Sequence, residues 1–203
     1  MITLEPPRSV ADAGDAWQAL GLSKAGMSRF VRTARGYVGL RGEVEVLLAD
    51  DRVLRRLNRE YRGKNKATDV LSFPGYDEMA EEHAGDLAVS LETAERQARE
   101  HGHDLATELR VLLLHGMLHL DGMDHEVDHG EMAAREAELR KKLRLPNGLI
   151  ARVEGAVKAV ATKKSPAKAK SATKKAVTKK SSVRKNATKK TAVKKSARKQ
   201  VRA

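Results

Sequence analysis

The chain has 203 residues, with 40 Lys+Arg against 27 Asp+Glu and a formal net charge of +13. The segment Ala156–Ala203 holds 18 of the basic residues and no acidic one, so Met1–Gly155 carries a net charge of −5. A uniformly basic nucleic-acid-binding domain is therefore excluded. Because the chain has no cysteine, disulfides and thiolate metal ligands are excluded as well, and any metal must be held by His, Asp or Glu.

The first elements are predicted from hydrophobic spacing. We expect a strand at Ile2–Leu4, a helix over Ala11–Arg35 and a mostly buried strand at Gly42–Ala49, whose apolar residues alternate too little for a half-exposed strand. The apolar positions expected in the core are Ala16, Leu20, Met27 and Phe30 of the helix and Val44, Val46, Leu47 and Leu48 of the strand.

The next segments continue this alternation of strands and helices. A helix starts at an Asp50 or Asp51 cap and ends at Gly63, and its apolar stripe comprises Val53, Leu54, Leu57 and Tyr61. Strands follow at Thr68–Pro74 and Asp86–Leu91. Three helices are then predicted, over Glu92–His101, Asp104–Asp121 and His129–Leu143.

These elements predict an α+β (α/β layer) fold, with a small mixed β-sheet packed against helices. Residues 1–147 form the expected domain, 148–160 a linker or short helix and 161–203 a polybasic tail. The longest aliphatic run, Val111–Leu114, is far shorter than the roughly 20 apolar residues of a membrane span. The start, Met1–Pro7, lacks the pattern of a signal peptide. We therefore expect a soluble cytoplasmic protein with no membrane partner.

The tail repeats basic pairs every five residues from Lys174–Lys175 to Lys194–Lys195. In a helix this step turns about 140°, so the pairs would share no face. Low hydrophobicity and unbalanced charge predict disorder, and the charge favours binding to a polyanion, RNA or else DNA. The alternative is a solubilising extension with no dedicated target.

Three of the seven histidines form the pattern H-x₃-H-x₂-G-x₂-H. His115 and His119 share one helix face, and Gly122 lets the chain turn back to bring His125 to the same ion. Three imidazoles and one open position fit a catalytic Zn²⁺ at the end of this central helix, although nickel, copper, iron or manganese are alternatives. The other four histidines, His83, His101, His103 and His129, are expected on the surface.

The same spacing occurs in metzincin proteases, but Gly116 stands where they have their general base, Glu. Proteolysis is therefore the minor alternative. Upstream, Arg52, Arg55 and Arg56 are expected on a solvated helix face, whereas Arg62, Lys64 and Lys66 lie in a loop suited to phosphate. A metal ion beside such a loop indicates phosphodiester hydrolysis.

The segments Leu57–Pro74, Gly85–Leu87 and His115–His125 resemble those of the YbeY family of bacterial endoribonucleases, and the likeness covers Gly42–Leu145. The family usually has proline where Ala67 stands. The resemblance implies a single-strand-specific endoribonuclease that needs one Zn²⁺ per chain. It also implies action on the small ribosomal subunit, in 16S rRNA 3′-end maturation and ribosome quality control.

By the same resemblance, His115, His119 and His125 are the metal ligands and Arg62 is the catalytic arginine. The attacking group, either metal-activated water or the neighbouring 2′-hydroxyl, stays open, and no residue is evident as the general base. A non-catalytic ribosome assembly factor with a structural metal is the alternative function.

Overall fold

The computed structural model describes residues 1–6, 15–76 and 81–146. The predicted linker at 148–160, the predicted polybasic tail at 161–203 and the start of the first predicted helix lie outside these residues.

In the part of the chain that the structure describes, the sheet contains four strands: β1 (Ile2–Leu4), β2 (Glu43–Ala49), β3 (Val70–Pro74) and β4 (His83–Ser90). Their order is β1-β2-β4-β3. The first three strands in this order are parallel, with Val46 opposite Ile2 on one side and Leu87 on the other. The edge strand β3 runs antiparallel to β4, and Ser72 lies opposite Leu87.

Among the described residues, six helices accompany the sheet: α1 (Ala16–Ala19), α2 (Lys24–Val38), α3 (Asp51–Arg62), α4 (Leu91–His101), α5 (Leu105–Leu120) and α6 (Glu131–Leu143). Aspartate side chains cap three of them, because a carboxylate before the first turn can accept from an N–H group that has no partner within the helix. Asp15 accepts from the Trp17 N–H at the start of α1. Asp50 accepts from the Val53 N–H and Asp104 from the Thr107 N–H. Gly63 ends α3 in the left-handed conformation, with φ +70°.

The two faces of the sheet bury different helices. On one face, Leu54 of α3 packs with Leu71 and Ala88 of the sheet. On the other, α5 lies against β3 and β4 and is surrounded by α2, α4 and α6. Because neighbours cover it on all sides, α5 has 12 buried residues among its 16 and is apolar around most of its circumference.

The prediction of one continuous helix over Ala11–Arg35 is wrong. Within the described residues, α1 ends at Ala19, Gly21 has φ +64°, and Ser23 caps a second helix by accepting from the Gly26 N–H. The side chain of a capping serine bonds a backbone N–H at the start of the new helix, which favours a helix boundary at that point. The apolar spacing alone does not reveal this boundary. Met27 is buried as predicted, whereas Ala16, Leu20 and Phe30 are half-buried.

The predicted strand at Gly42–Ala49 forms as β2, but it alternates at its start. Glu43 and Glu45 are exposed while Val44 and Val46 are buried. The predicted fold class, a mixed sheet packed with helices, is confirmed. In the described part of the chain, no helix is both long enough and apolar enough to cross a membrane.

Candidate metal centre

Two histidines lie one turn apart in the last turns of the buried helix α5. His115 and His119 are 1% and 0% exposed. Their ring centroids are 4.8 Å apart and the rings meet edge to face. The spacing of four residues therefore places both imidazoles on one face of α5, as the sequence predicts.

The chain turns back immediately after these residues. α5 ends at Leu120, and Gly122 takes φ +87°, a conformation that glycine adopts without strain. This turn places the half-buried ring of His125 with its centroid 5.2 Å from that of His115 and 5.3 Å from that of His119. One ligand atom from each of the three histidines lies within 4.8 Å of the other two, so the cluster could hold a metal ion.

A hydrogen bond of His119 fixes which of its nitrogens carries the proton. Its Nδ1 lies 2.9 Å from the carbonyl oxygen of Met123. A carbonyl can only accept, so Nδ1 carries the proton and the neutral ring presents a lone pair at Nε2. That Nε2 faces Nε2 of His115 at 3.2 Å. Two ligands about 2.0–2.1 Å from one tetrahedral Zn²⁺ stand roughly 3.3 Å apart, so the pair fits such an ion.

Burial also prepares the ring of His115 for a cation. The pKa of His115 lies well below its ordinary value, first because burial disfavours the imidazolium, and then because His119 and His125 stand close by. A neutral imidazole is the form that binds metal, so the proton competes weakly at this site.

Gly116, between the two ligands of α5, faces the sheet. A Cβ at this position would lie 2.8 Å from Cδ2 of Leu87, 3.1 Å from Cγ2 of Val70 and 3.2 Å from Oγ of Ser72. The Ser72 hydroxyl donates to the Gly116 carbonyl oxygen at 3.1 Å, which fixes the close approach of α5 and β3. A glutamate at 116 would therefore clash with the core, so the general base of a metzincin protease has no room at this position.

A family model described as "Endoribonuclease YbeY" matches residues 23–144. The chain belongs to this family. It is 50% identical over 144 residues to the Endoribonuclease YbeY of Koribacter versatilis (strain Ellin345), covering 71% of this chain and 93% of that relative. It is 48% identical over 133 residues to the Endoribonuclease YbeY of Solibacter usitatus (strain Ellin6076), covering 66% and 88%.

A protein of Thermotoga maritima with a known solution structure aligns with a TM-score of 0.42 at 24% identity, over 81% of this chain and 97% of that one. The predicted membership of the YbeY family, an enzyme family, is confirmed by the family model and the two relatives, and the histidine cluster is the candidate metal site of this member.

In this YbeY family member, Arg62 is the last residue of α3 and is half-buried. The neighbouring Tyr61 ring meets Phe73 edge to face, with centroids 5.1 Å apart. Leu120, at the end of α5, lies beside Gly85 of β4, next to the carbonyl of Phe73. Tyr61, the residue before Arg62, and Leu120, the residue after His119, thus both lie at the end of the sheet where Phe73 and Gly85 stand, with α3 on one face of the sheet and α5 on the other.

A buried asparagine that the sequence reasoning missed holds the loop after Arg62. Asn58 is 1% exposed, and its Nδ2 donates to the carbonyl oxygen of Lys66 at 2.8 Å. The Lys64 N–H donates in turn to the Asn58 carbonyl at 3.2 Å. The signal in the sequence was a polar residue next to Leu57 and one turn after Leu54 on a helix face that is otherwise buried.

The sequence reasoning also missed two buried glutamates. Glu136 of α6 is 2% exposed and follows the buried Met132 by one turn. Glu108 of α5 is 0% exposed and bonds His103, which is only 14% exposed in its side chain. The prediction of His103 as a surface residue is therefore wrong. A carboxylate on the apolar stripe of a helix was the available signal, because such a group needs a buried partner.

The rim beside His125 is acidic. A depression of about 330 Å³ is lined there by Gly122, Met123, Asp124, Val127, Asp128, His129 and Glu131. The pKa of Asp128 lies below its ordinary value because its carboxylate accepts from the Met132 and Gly130 N–H groups, which fixes the start of α6. An anion approaching from this side meets carboxylates.

Proposed function

We propose that this protein is a zinc-dependent, single-strand-specific endoribonuclease that acts in 16S rRNA 3′-end maturation on the small ribosomal subunit and in ribosome quality control. The observation that carries the proposal is the histidine cluster, whose three ligand atoms lie within 4.8 Å of one another in a member of the YbeY family. The other predicted metals suit imidazole too, and we propose zinc because three imidazoles with one open position are its usual catalytic ligand set.

His115, His119 and His125 would hold this ion, with His119 kept in the binding tautomer by the Met123 carbonyl. When bound, such an ion acidifies water and polarises a phosphoryl oxygen. Arg62 would bind the phosphoryl oxygens and stabilise the charge that develops on them, since a guanidinium pairs with phosphate through two donors.

The charges around the centre favour one direction of approach for RNA. Among the described residues, Arg59, Arg62, Lys64 and Lys66 form no ion pair, so their charges are available to phosphate. The rim near His125 is acidic and repels phosphate. In a body whose net charge is −5, the substrate would therefore reach the metal along the loop that follows α3.

The preference for single strands rests on Tyr61. Tyr61 is the residue before Arg62 and is 52% exposed. Its ring is held by an edge-to-face contact with the ring of Phe73. An exposed, fixed ring can stack with a base that is free of its own strand, a contact worth about 1–3 kcal/mol per base. Tyr61→Leu should weaken binding of a single-stranded oligonucleotide and leave binding of a duplex of the same length unchanged.

We further propose that the polybasic segment after Gly155 binds RNA or another polyanion, because its 18 basic residues face no acidic residue within the segment. A chain that ends at Gly155 should cleave short RNA at the full rate but bind long RNA with a smaller salt dependence. An unchanged slope of log K against log salt would contradict this role and support a solubilising extension.

The central test combines metal analysis with cleavage. The purified wild-type protein should contain about one zinc per chain and cleave single-stranded rRNA. His119→Ala should lose both properties, while His101→Ala, a change at an exposed histidine of α4, should keep both. Cleavage that survives His119→Ala and thorough chelation would refute the proposal and indicate a contaminating nuclease.

Arg62→Ala distinguishes an enzyme from an assembly factor with a structural metal. If the protein cleaves RNA in cells, this variant should keep its zinc and its binding to the small subunit but accumulate unprocessed 16S rRNA precursor. A normal precursor profile in the variant would favour the assembly role.

A further inference from the structure

A buried carboxylate faces the first histidine of the cluster. Glu136 belongs to α6, and its side chain is 3% exposed. Its Oε1 lies 3.9 Å from Nδ1 of His115, whose side chain is 2% exposed. Met132 and Leu139, on the same face of α6, are fully buried, so the core holds this face against α5. The carboxylate thus reaches the back of the ring whose Nε2 faces His119.

The tautomer of His115 determines what this contact does. The Nδ1 atom of His115 is buried and has no hydrogen-bond partner within 3.5 Å among the described residues. Without metal, the 3.2 Å contact with the Nε2 lone pair of His119 permits a proton on Nε2 of His115, which leaves the Nδ1 lone pair facing the carboxylate. If Nε2 binds a metal, the neutral ring carries its proton on Nδ1, and that N–H needs an acceptor. The Glu136 carboxylate stands close enough to become that acceptor.

We propose that Glu136 is a positioning residue for the metal centre: it accepts the Nδ1–H of His115 and so directs the Nε2 lone pair toward the ion. This inference rests on the proposed metal site. Closing the distance from 3.9 Å to an ordinary charge-assisted hydrogen bond needs a movement of about 1 Å. His119 has its own acceptor in the Met123 carbonyl, so the two ligands of α5 are oriented by different elements, one by the turn and one by α6.

The start of α6 supports this arrangement. Asp128, three residues after the third ligand, accepts from the Gly130 and Met132 N–H groups and fixes where α6 begins. The loop that carries His125 therefore also sets the position of Glu136 along α6. Through this connection, the turn after α5 orients His119 and carries His125, and the following helix places Glu136 beside His115.

Zinc affinity of the full-length protein tests the proposal without reference to RNA. Competition with a chromophoric chelator should give a dissociation constant about 10–100-fold higher for Glu136→Ala than for the wild type. Glu136→Gln should lie between them, because an amide oxygen still accepts the N–H but carries no charge. The matched control is Glu138→Gln, an exposed residue of the same helix that pairs with Arg135 and Lys142, and its zinc affinity should stay at the wild-type value.

A second measurement separates positioning from packing. Each variant's thermal midpoint is measured without metal and with saturating zinc, and Co²⁺ absorption reports the ligand geometry. A positioning role predicts that Glu136→Gln changes the Co²⁺ spectrum and reduces the shift of the midpoint by zinc. Equal losses with and without metal, at unchanged zinc affinity, would assign Glu136 to packing alone and overturn the proposal.

A third test uses only the wild-type protein, so its result does not depend on whether a variant folds. In the zinc-loaded protein, ¹⁵N NMR should show His115 bound through Nε2, with a slowly exchanging proton on Nδ1. Coordination through Nδ1 overturns the proposal. If the wild-type protein binds no zinc, the proposed metal site is overturned as well. If zinc binds and its affinity is the same in the Glu136 variants as in the wild type, only this inference is overturned.

Discussion

The contact of Gly116 with the sheet gives the sharpest prediction about how the metal centre is built. We expect Gly116→Ala to destabilise the protein, although alanine is the better helix former. The new Cβ would lie 2.8 Å from Cδ2 of Leu87 and 3.1 Å from Cγ2 of Val70. Both neighbours are 1% exposed, and the χ1 of a valine is stiff, so neither side chain has free space to move into.

Two opposing terms set the magnitude. Replacing glycine by alanine in a helix gains about 0.8–1.0 kcal/mol. Inserting a methyl group into a filled core costs about 1–3 kcal/mol. Gly36 of α2 isolates the first term, because it is exposed and a Cβ there meets nothing within 4 Å. Gly36→Ala should therefore be stabilised by up to about 1 kcal/mol, and Gly116→Ala should be about 1–3 kcal/mol less stable than that control.

The assay is thermal and urea denaturation of both variants in a chelator, so that metal binding does not mask the difference. At about 2–4 °C per kcal/mol for a chain of this size, the two midpoints should differ by about 2–12 °C. Gly116→Ala should also bind zinc more weakly, because the displaced helix carries His115 and His119. Equal stability of Gly116→Ala and Gly36→Ala would refute the argument that the close approach requires glycine.

Three further outcomes are expected. Asn58→Asp removes the Nδ2 donor to the Lys66 carbonyl and should lower RNA cleavage while zinc affinity stays at the wild-type value; a loss of zinc would contradict a role confined to the loop. In Gly122→Ala the new Cβ meets no atom within 4 Å, but φ of +87° is strained for alanine. The free energy of unfolding in urea should therefore fall by about 1–2 kcal/mol, and zinc binding should weaken. An unchanged zinc affinity would show that His125 does not depend on this turn. The pKa of Asp104 is lowered by hydrogen bonds from Thr107, so its stabilisation is present above its ordinary value of 3.8 and lost as pH falls through the folded value. Asp104→Ala should cost about 0.5–2 kcal/mol at pH 7, and its difference from wild type should shrink toward low pH; a constant difference would exclude the carboxylate as the cause.

The parts of the fold that could be predicted from the sequence are those fixed by local chemistry. The limits of α3 follow from Asp50 and Gly63, which act within one turn of the helix ends. The two histidines of α5 share a face because of helix geometry alone. The first predicted helix failed at Ser23 for a local reason as well, since its hydroxyl offers the backbone a cap that apolar spacing does not reveal.

Contacts between distant segments could not be predicted in this way. Glu136 lies on another helix than His115, and nothing in the spacing of either helix specifies that they meet. Asn58 reaches only to Lys66, but its partner is a backbone carbonyl, which every residue possesses. In each case the sequence did offer a weaker signal, a polar residue on an apolar helix face. That signal indicates that a buried partner exists without identifying it.

The same reasoning explains why the histidine spacing alone did not separate a nuclease from a protease. The spacing H-x₃-H-x₂-G-x₂-H specifies one helix turn and one reversal, which are enough for three ligands and say nothing about the surroundings of the helix. What differs is the side of α5 that carries residue 116. Here that side contacts Val70, Ser72 and Leu87 of the sheet. A catalytic side chain at residue 116 would therefore clash with the core. The chemistry must then come from another element, and the one we propose is α3, which lies on the opposite face of β3 and ends with Arg62 at the same end of the sheet.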